Sequence, residues 1–160
     1  MASPSALLLS IHSQYADKIF EGTKTVELRR VRPRHIEKGG VVFIYVPSPI
    51  RSLVGAFKVD QIVEMPLRKL WEAVQGRAGI SRRDFDAYYE GASMGVAIFF
   101  TEVWNLPKPI DLRELQDNLK ISPPQSFRYI TVTKLGGEHF RSQFSMLGCT
   151  INSPGLQAGG

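Results

Sequence analysis

The sequence predicts an α+β fold, a mixed sheet or small barrel of five or six strands decorated by four or five helices. Three observations lead there. Short apolar or alternating runs recur along the chain, stretches with helical spacing fall between some of them, and the connections are too long and varied for a meander. The absence of strict strand–helix alternation argues against a doubly wound parallel sheet. At 160 residues the chain has the length of one domain with one continuous core. We expect that domain over residues 1–136, a packed C-terminal helix over 137–148 and a flexible tail over 149–160.

The elements follow in order. ALLLSI, residues 6–11, is a continuous apolar run and reads as a buried strand. In SQYADKIFEG the apolar Tyr15, Ala16, Ile19 and Phe20 fall at helical spacing, with Ser13 as the expected N-cap and Gly22 as the terminator. GTKTVELRR follows, where Val26 and Leu28 alternate with Thr25, Glu27 and Arg29, the period of a strand whose second face is polar. VRPRHIEKGG is a basic loop, VVFIYV a third strand, and SLVGAFKVDQIV a fourth with breaks expected at Gly55 and at Asp60–Gln61. PLRKLWEAV places Leu67, Leu70, Trp71 and Val74 on one helical face, and SRRDFDAYYEG opens on a serine cap and closes on Gly91. MGVAIFFTEVWNL returns to strand, PKPIDLRELQDNL reads as a turn and a short helix capped by Asp111, and SFRYITVTKL is a last strand. Trp71 and Trp104 lie within apolar patterns and are expected in the core.

Several chemistries lack their signatures. There is no CxxC pair, HExxH, GxGxxG, P-loop or GxSxG. His12, His35 and His139 are scattered and specify no metal site, and the single Cys149 near the end is no catalytic thiol. No cofactor is implied, and a divalent metal is neither required nor ruled out. No apolar run reaches a membrane span and no basic leader precedes ALLLSI, so a soluble, cytoplasmic protein is expected.

What remains is charge and polarity at strand ends. The net charge is +5, and residues 24–38 alone carry +4, from Lys24, Arg29, Arg30, Arg32, Arg34 and Lys38 against Glu27 and Glu37. Such clustering favours an anionic partner. Ser10 and His12 close the first strand, Lys24, Glu27, Arg29 and Arg30 follow the first helix, and Tyr45 and Ser48 end the third strand. Gln125, Ser126 and Arg128 precede or open the last strand behind the stiff Pro123–Pro124. Lysine and arginine hold phosphate, a carboxylate or amide reads a base edge, and Tyr45 or Tyr129 offers a ring for stacking. A Lys24–Glu27 pair is also the kind of couple that shifts pKa values for acid–base work.

Gly22, Lys24, Glu27 and Arg29 give G-x-K-x-x-E-x-R directly after a helix, and together with the ordered segments GGVVFIYVPSP, SLVGAFKV, LWEAV, GISRRDFDAYYEG and PPQSFRYI this resembles the ASCH domain, a family of PUA-like β-barrels, over roughly residues 6–133. The resemblance implies a small barrel with a cleft beside its helices, and RNA or a nucleotide as partner. It also implies divided activity, since some members are ribonucleases and one branch resembles amidohydrolases that deacetylate N4-acetylcytidine. That branch needs a threonine three residues after its lysine, where this chain has Glu27; Thr25 is only nearby, and for the branch's later glutamate Glu72 and Glu90 are unmatched candidates. The expectation is thus a binding protein with a basic cleft that recognises a base, modified or not, and its phosphate. The alternatives are a hydrolase using Lys24 and Glu27, or an adaptor that meets an acidic protein through Arg30, Arg32 and Arg34.

Overall fold

Side-chain period decides where each strand sits. In the computed structural model, which describes residues 5–131, β1 (Ser5–Ser10) is apolar on both faces and lies inside the sheet, paired with β3 (Val41–Val46) in parallel and β6 (Phe127–Thr131) antiparallel. Between β1 and β3 the chain forms α1 (Ser13–Glu21) and the short β2 (Val26–Arg29). The long β4 (Ser52–Pro66) pairs antiparallel with β3 and with β5 (Met94–Asp111), which carries β2 on its other side. The order is β2-β5-β4-β3-β1-β6. Two helices, α2 (Leu67–Val74) and α3 (Arg82–Tyr88), bridge β4 and β5, and α4 (Leu112–Asp117) follows β5. The fold is therefore α+β, a mixed six-stranded sheet with four helices among the described residues.

The sheet does not close by backbone pairing among these residues. Its end strands β2 and β6 share no ladder, and side chains span the opening instead. Arg29 of β2 donates through Nη2 to the Ser10 carbonyl at 2.8 Å and through Nη1 to Ser126 Oγ at 3.4 Å. The Tyr88 hydroxyl donates to the Leu28 carbonyl, and the Tyr89 hydroxyl donates to the carbonyls of Arg29 and of its ladder partner Val96, tying the α3 end to both β2 and β5.

Several local expectations are adjusted. Helix α1 is capped by His12, not Ser13, and without a side-chain hydrogen bond; Tyr15 and Ala16 N–H groups donate to the His12 carbonyl. Gly22 ends it at φ 86°, a conformation that favours glycine. Strand β5 runs on through Pro107 and Pro109, where the sequence suggests a turn. The register explains this: Gly55 pairs with Asn105 and Leu53 with Ile110, so the prolines fall in a bulge that needs no ladder N–H from them. The expected breaks in β4 appear at Gly55 and Asp60, and β4 extends beyond Val63 to Pro66. Ser81 and Asp111 cap α3 and α4, accepting from Asp84 N at 3.1 Å and Glu114 N at 2.8 Å. The predicted C-terminal helix, the tail, His139 and Cys149 lie outside the described residues.

Three apolar clusters hold the molecule. Leu7, Leu9, Ile44, Phe57, Val96 and Ile98 meet Ala16 and Ile19 of α1 on one side of the sheet, while Leu8, Phe43, Leu53 and Ile110 meet Leu115 of α4 on the other. Val26, Leu28 and Ala97 meet Leu70 and Val74 of α2, Phe85 of α3 and Tyr89 just after it. Both tryptophans are half-buried, Trp71 against the α2–α3 cluster and Trp104 against the cluster around Leu8 and Leu115. No helix among the described residues is long and apolar enough to cross a membrane.

Candidate functional site

The alternation in β2 sends Val26 and Leu28 toward α2 and α3 and leaves Glu27 and Arg29 on the other face, as the sequence pattern requires. That second face is not open surface. Lys24 is 3% exposed and Glu27 6% exposed. Lys24 Nζ donates to the Ala78 carbonyl at 2.7 Å and pairs with Glu27 Oε1 at 3.3 Å. Glu27 Oε1 also accepts from the Leu28 N–H at 3.1 Å, and Oε2 meets Arg29 Nη2 at 3.4 Å. Arg29 Nε is buried and has no hydrogen-bond partner among the described residues. The result is a row of two cations about one carboxylate.

This row floors an inner cavity of about 200 Å³ lined by Ser10, Ile11, His12, Tyr15, Leu28, Ile80, Asp84 and Tyr88 in addition to the three charged residues. Ser10, His12, Arg29 and Tyr88 also line a wider groove of about 880 Å³, so the two spaces meet at these residues. Arg30, Tyr45, Ser48, Arg51, Gln125 and Ser126 line the groove. The position of Lys24 depends on the turn between α2 and α3. Ala78 is buried there, Gly79 sits at φ +66°, Lys18 Nζ donates to the Gly79 carbonyl at 2.8 Å, and the Thr25 N–H donates to the Arg77 carbonyl at 2.8 Å.

Burial pushes the Lys24 amine below its ordinary pKa, and neighbouring Glu27 only partly opposes this. Tyr15, Tyr45 and Tyr88 are raised, in each case chiefly by burial. The Tyr15 ring lies 5.5 Å from Lys24 Nζ and 5.8 Å from Lys18 Nζ, close enough for cation–π attraction.

Of the residues singled out in the sequence, Lys24, Glu27, Arg29, Ser10 and His12 meet in the inner cavity, and Arg30, Tyr45, Ser48, Gln125 and Ser126 join Ser10, His12 and Arg29 in the groove. Arg128 lines neither space; it stands opposite Leu8 on β6, exposed. Neither tyrosine considered for stacking offers a free ring. Tyr45 is 3% exposed, and Tyr129 lies outside both spaces, edge-on to His35 and Phe127, its hydroxyl accepting from the His35 N–H. Thr25, Glu72 and Glu90 line neither space; Thr25 Oγ1 accepts from Arg77, and Glu72 pairs at 4.0 Å with Arg68 on the helix surface. Tyr15, Arg51, Asp84 and Tyr88 are the polar lining residues that sequence reasoning missed. Tyr15 counted there as an apolar helix position, and Tyr88 ends a helix whose partner strand no local pattern reveals.

No three His, Cys, Asp or Glu side chains cluster in a metal-binding arrangement among the described residues. The basic run of residues 24–38 divides in two. Lys24 and Arg29 turn inward, while Arg30, Arg32, Arg34 and Lys38 stay exposed.

Comparison with known proteins agrees with this architecture. The family model of the ASCH domain matches residues 9–113. An ASCH domain-containing ribonuclease of Zymomonas mobilis is 27% identical over 124 residues, 77% of this chain and 82% of that protein. The crystal structure of ASCH from Zymomonas mobilis superposes with a TM-score of 0.74 at 26% identity, covering 81% of this chain and 90% of that one. A tyrosine-to-phenylalanine variant of the Zymomonas protein gives a TM-score of 0.75 at 25% identity, covering 81% and 92%. With the family model matching residues 9–113, most of the chain, and the Zymomonas structure superposing over 81% of it, this protein belongs to the ASCH domain family.

Proposed function

We propose that the protein binds single-stranded RNA, seating one base in the inner cavity and its neighbouring phosphates in the groove. The observation that carries this is the junction of the two spaces at Arg29: a small, partly apolar cavity with a hydrogen-bonding floor opens into a wide groove bearing Arg29, Arg30 and Arg51. A nucleotide has the same division, a flat base with a polar edge joined to an anionic backbone. Ser48, Gln125 and Ser126 add uncharged donors along the groove. The inner cavity is too narrow for a duplex, which leaves an unpaired base as its occupant.

A second reading, hydrolysis of the bound RNA, is favoured by the ribonuclease relative and by the lowered pKa of Lys24. Cleaving a phosphodiester takes a base to remove a proton, an acid to supply one to the leaving oxygen, and positive charge for the transition state. Lys24, Glu27, His12 and Asp84 line the cavity as side chains that can give or take a proton, and Arg29 supplies charge where the cavity meets the groove.

The test is incubation of the protein with a mixed pool of RNA oligonucleotides and modified nucleosides, with and without Mg²⁺ or Mn²⁺, followed by mass spectrometry beside Lys24→Ala. Oligonucleotides retained by the wild type but not by the variant support binding. New products absent from the variant support the hydrolase. If neither appears while an acidic protein is captured through Arg30, Arg32 and Arg34, the adaptor replaces both.

A further inference from the structure

We infer that Tyr88 is the platform on which a base of the bound RNA stacks, at the doorway where the inner cavity opens into the groove. This rests on the RNA-binding reading and deepens it, since that reading gives the base a cavity and the backbone a groove but no aromatic face. Four residues line both spaces, Ser10, His12, Arg29 and Tyr88, and Tyr88 carries the largest ring among them. Its hydroxyl turns inward to the Leu28 carbonyl at 3.3 Å while the residue stays 37% exposed. The other large rings along these walls are engaged elsewhere. Tyr45 is 3% exposed, Phe127 is half-buried and edge-on to Tyr129, and Tyr15 sits beside the Lys18 and Lys24 ammonium groups, lining the inner cavity and not the groove.

The Tyr88 ring is held before any ligand arrives. Arg30 Nη1 donates to the carbonyls of Tyr88 at 2.8 Å and Glu90 at 3.0 Å, which anchors the backbone at the end of α3. The ring meets Tyr89 edge-on with centroids 4.8 Å apart, and Tyr89 is itself fixed, 1% exposed with its hydroxyl on the Arg29 and Val96 carbonyls. An edge-on contact occupies at most one face of Tyr88. A side chain fixed in this way loses little rotamer freedom when a base settles on it, so more of the contact survives as affinity. Val31, 64% exposed, also lines the groove. A phosphate gains nothing from such apolar surface, whereas the flat face of a base does. Stacking is tolerant of sequence because every base has a π-face, so the doorway takes any unpaired nucleotide.

The experiment is equilibrium binding of the whole protein to a short single-stranded RNA of mixed sequence, with Tyr88→Leu and Tyr88→Phe beside the wild type. Leucine keeps apolar bulk and loses the flat ring; phenylalanine keeps the ring and loses the hydroxyl. Tyr88→Leu should bind at least about fivefold more weakly, the lower end of what one stacked base contributes, and Tyr88→Phe should retain most of what the leucine variant loses. A second arm needs no variant to fold: the same RNA with 5-iodouridine in place of uridine is irradiated on the wild type, where a halogenated base stacked on a ring attaches to it. Mass spectrometry should then find the adduct on Tyr88. Tyr88→Leu binding as well as the wild type, Tyr88→Phe binding as weakly as Tyr88→Leu, or an adduct on His12 or elsewhere and none on Tyr88 overturns the inference and leaves RNA binding standing. If the wild type binds no RNA, the RNA reading itself falls, and the inference with it.

Discussion

Lys24 shows how one residue reads differently alone and in place. An exposed lysine three residues from a glutamate contributes about 0–1 kcal/mol at most. Here the pair is buried, and Lys24 is tied as well to the Ala78 carbonyl, so its charge is held at a desolvation cost. The sign of the pH effect follows. With the native pKa below the ordinary value of 10.5, the unfolded chain holds a proton that the native state has released across the interval between the two. Unfolding therefore takes up a proton there, and raising the pH favours the native state. Urea midpoints of wild type and Lys24→Met should show wild type gaining on the variant as the pH climbs toward 10.5. A gap that does not move with pH would mean the native pKa of Lys24 is not lowered. Glu27, Arg29 and Lys24 were legible in the sequence because their spacing forms a motif. Tyr15 and Tyr88 were not, since each belongs to a helix whose orientation is fixed by partners distant in sequence.

At the scale of elements, the bulged β4–β5 pair sets the shape of the sheet. Gly55 sits at a register shift where an added Cβ would meet the Trp104 carbonyl and the Phe20 ring, the latter at 2.8 Å. Gly55→Ala should destabilise the fold by about 1–3 kcal/mol through overpacking, seen as a lower thermal midpoint. An unchanged midpoint would show that the strand and α1 yield freely. Helix starts and strand interiors were readable here because caps and side-chain period are local properties. Asp111 was rightly placed as a cap, yet the strand before it was cut short. Proline removes a ladder donor, and whether the ladder needed that donor depends on the partner's register, which the sequence does not display.

Across the whole molecule, the excess positive charge is less superficial than its sum suggests. Two of the cations between residues 24 and 38 are committed to the cavity floor, Arg30 lines the groove, and Arg32, Arg34 and Lys38 stand exposed on the loop outside both spaces. If that loop follows the RNA backbone, Arg32→Ala with Arg34→Ala should weaken binding similarly for all sequences and reduce the slope of log K against log salt by about 0.7 for each phosphate the loop no longer neutralises. An unchanged slope would confine the interface to the groove. The family and fold class were legible at this scale because the motif and the order of segments are linear features. The open sheet was not, because closure depends on whether two end strands, far apart in sequence, come within pairing distance.

The opening between β2 and β6 is spanned by a guanidinium, whereas every other seam of the sheet is stitched by backbone. Backbone hydrogen bonds persist through almost any substitution, but a side-chain bridge is encoded by a single codon. The aperture to the inner cavity can therefore diverge among descendants of this gene by point mutation at position 29 or 126, while the scaffold around it is inherited unchanged.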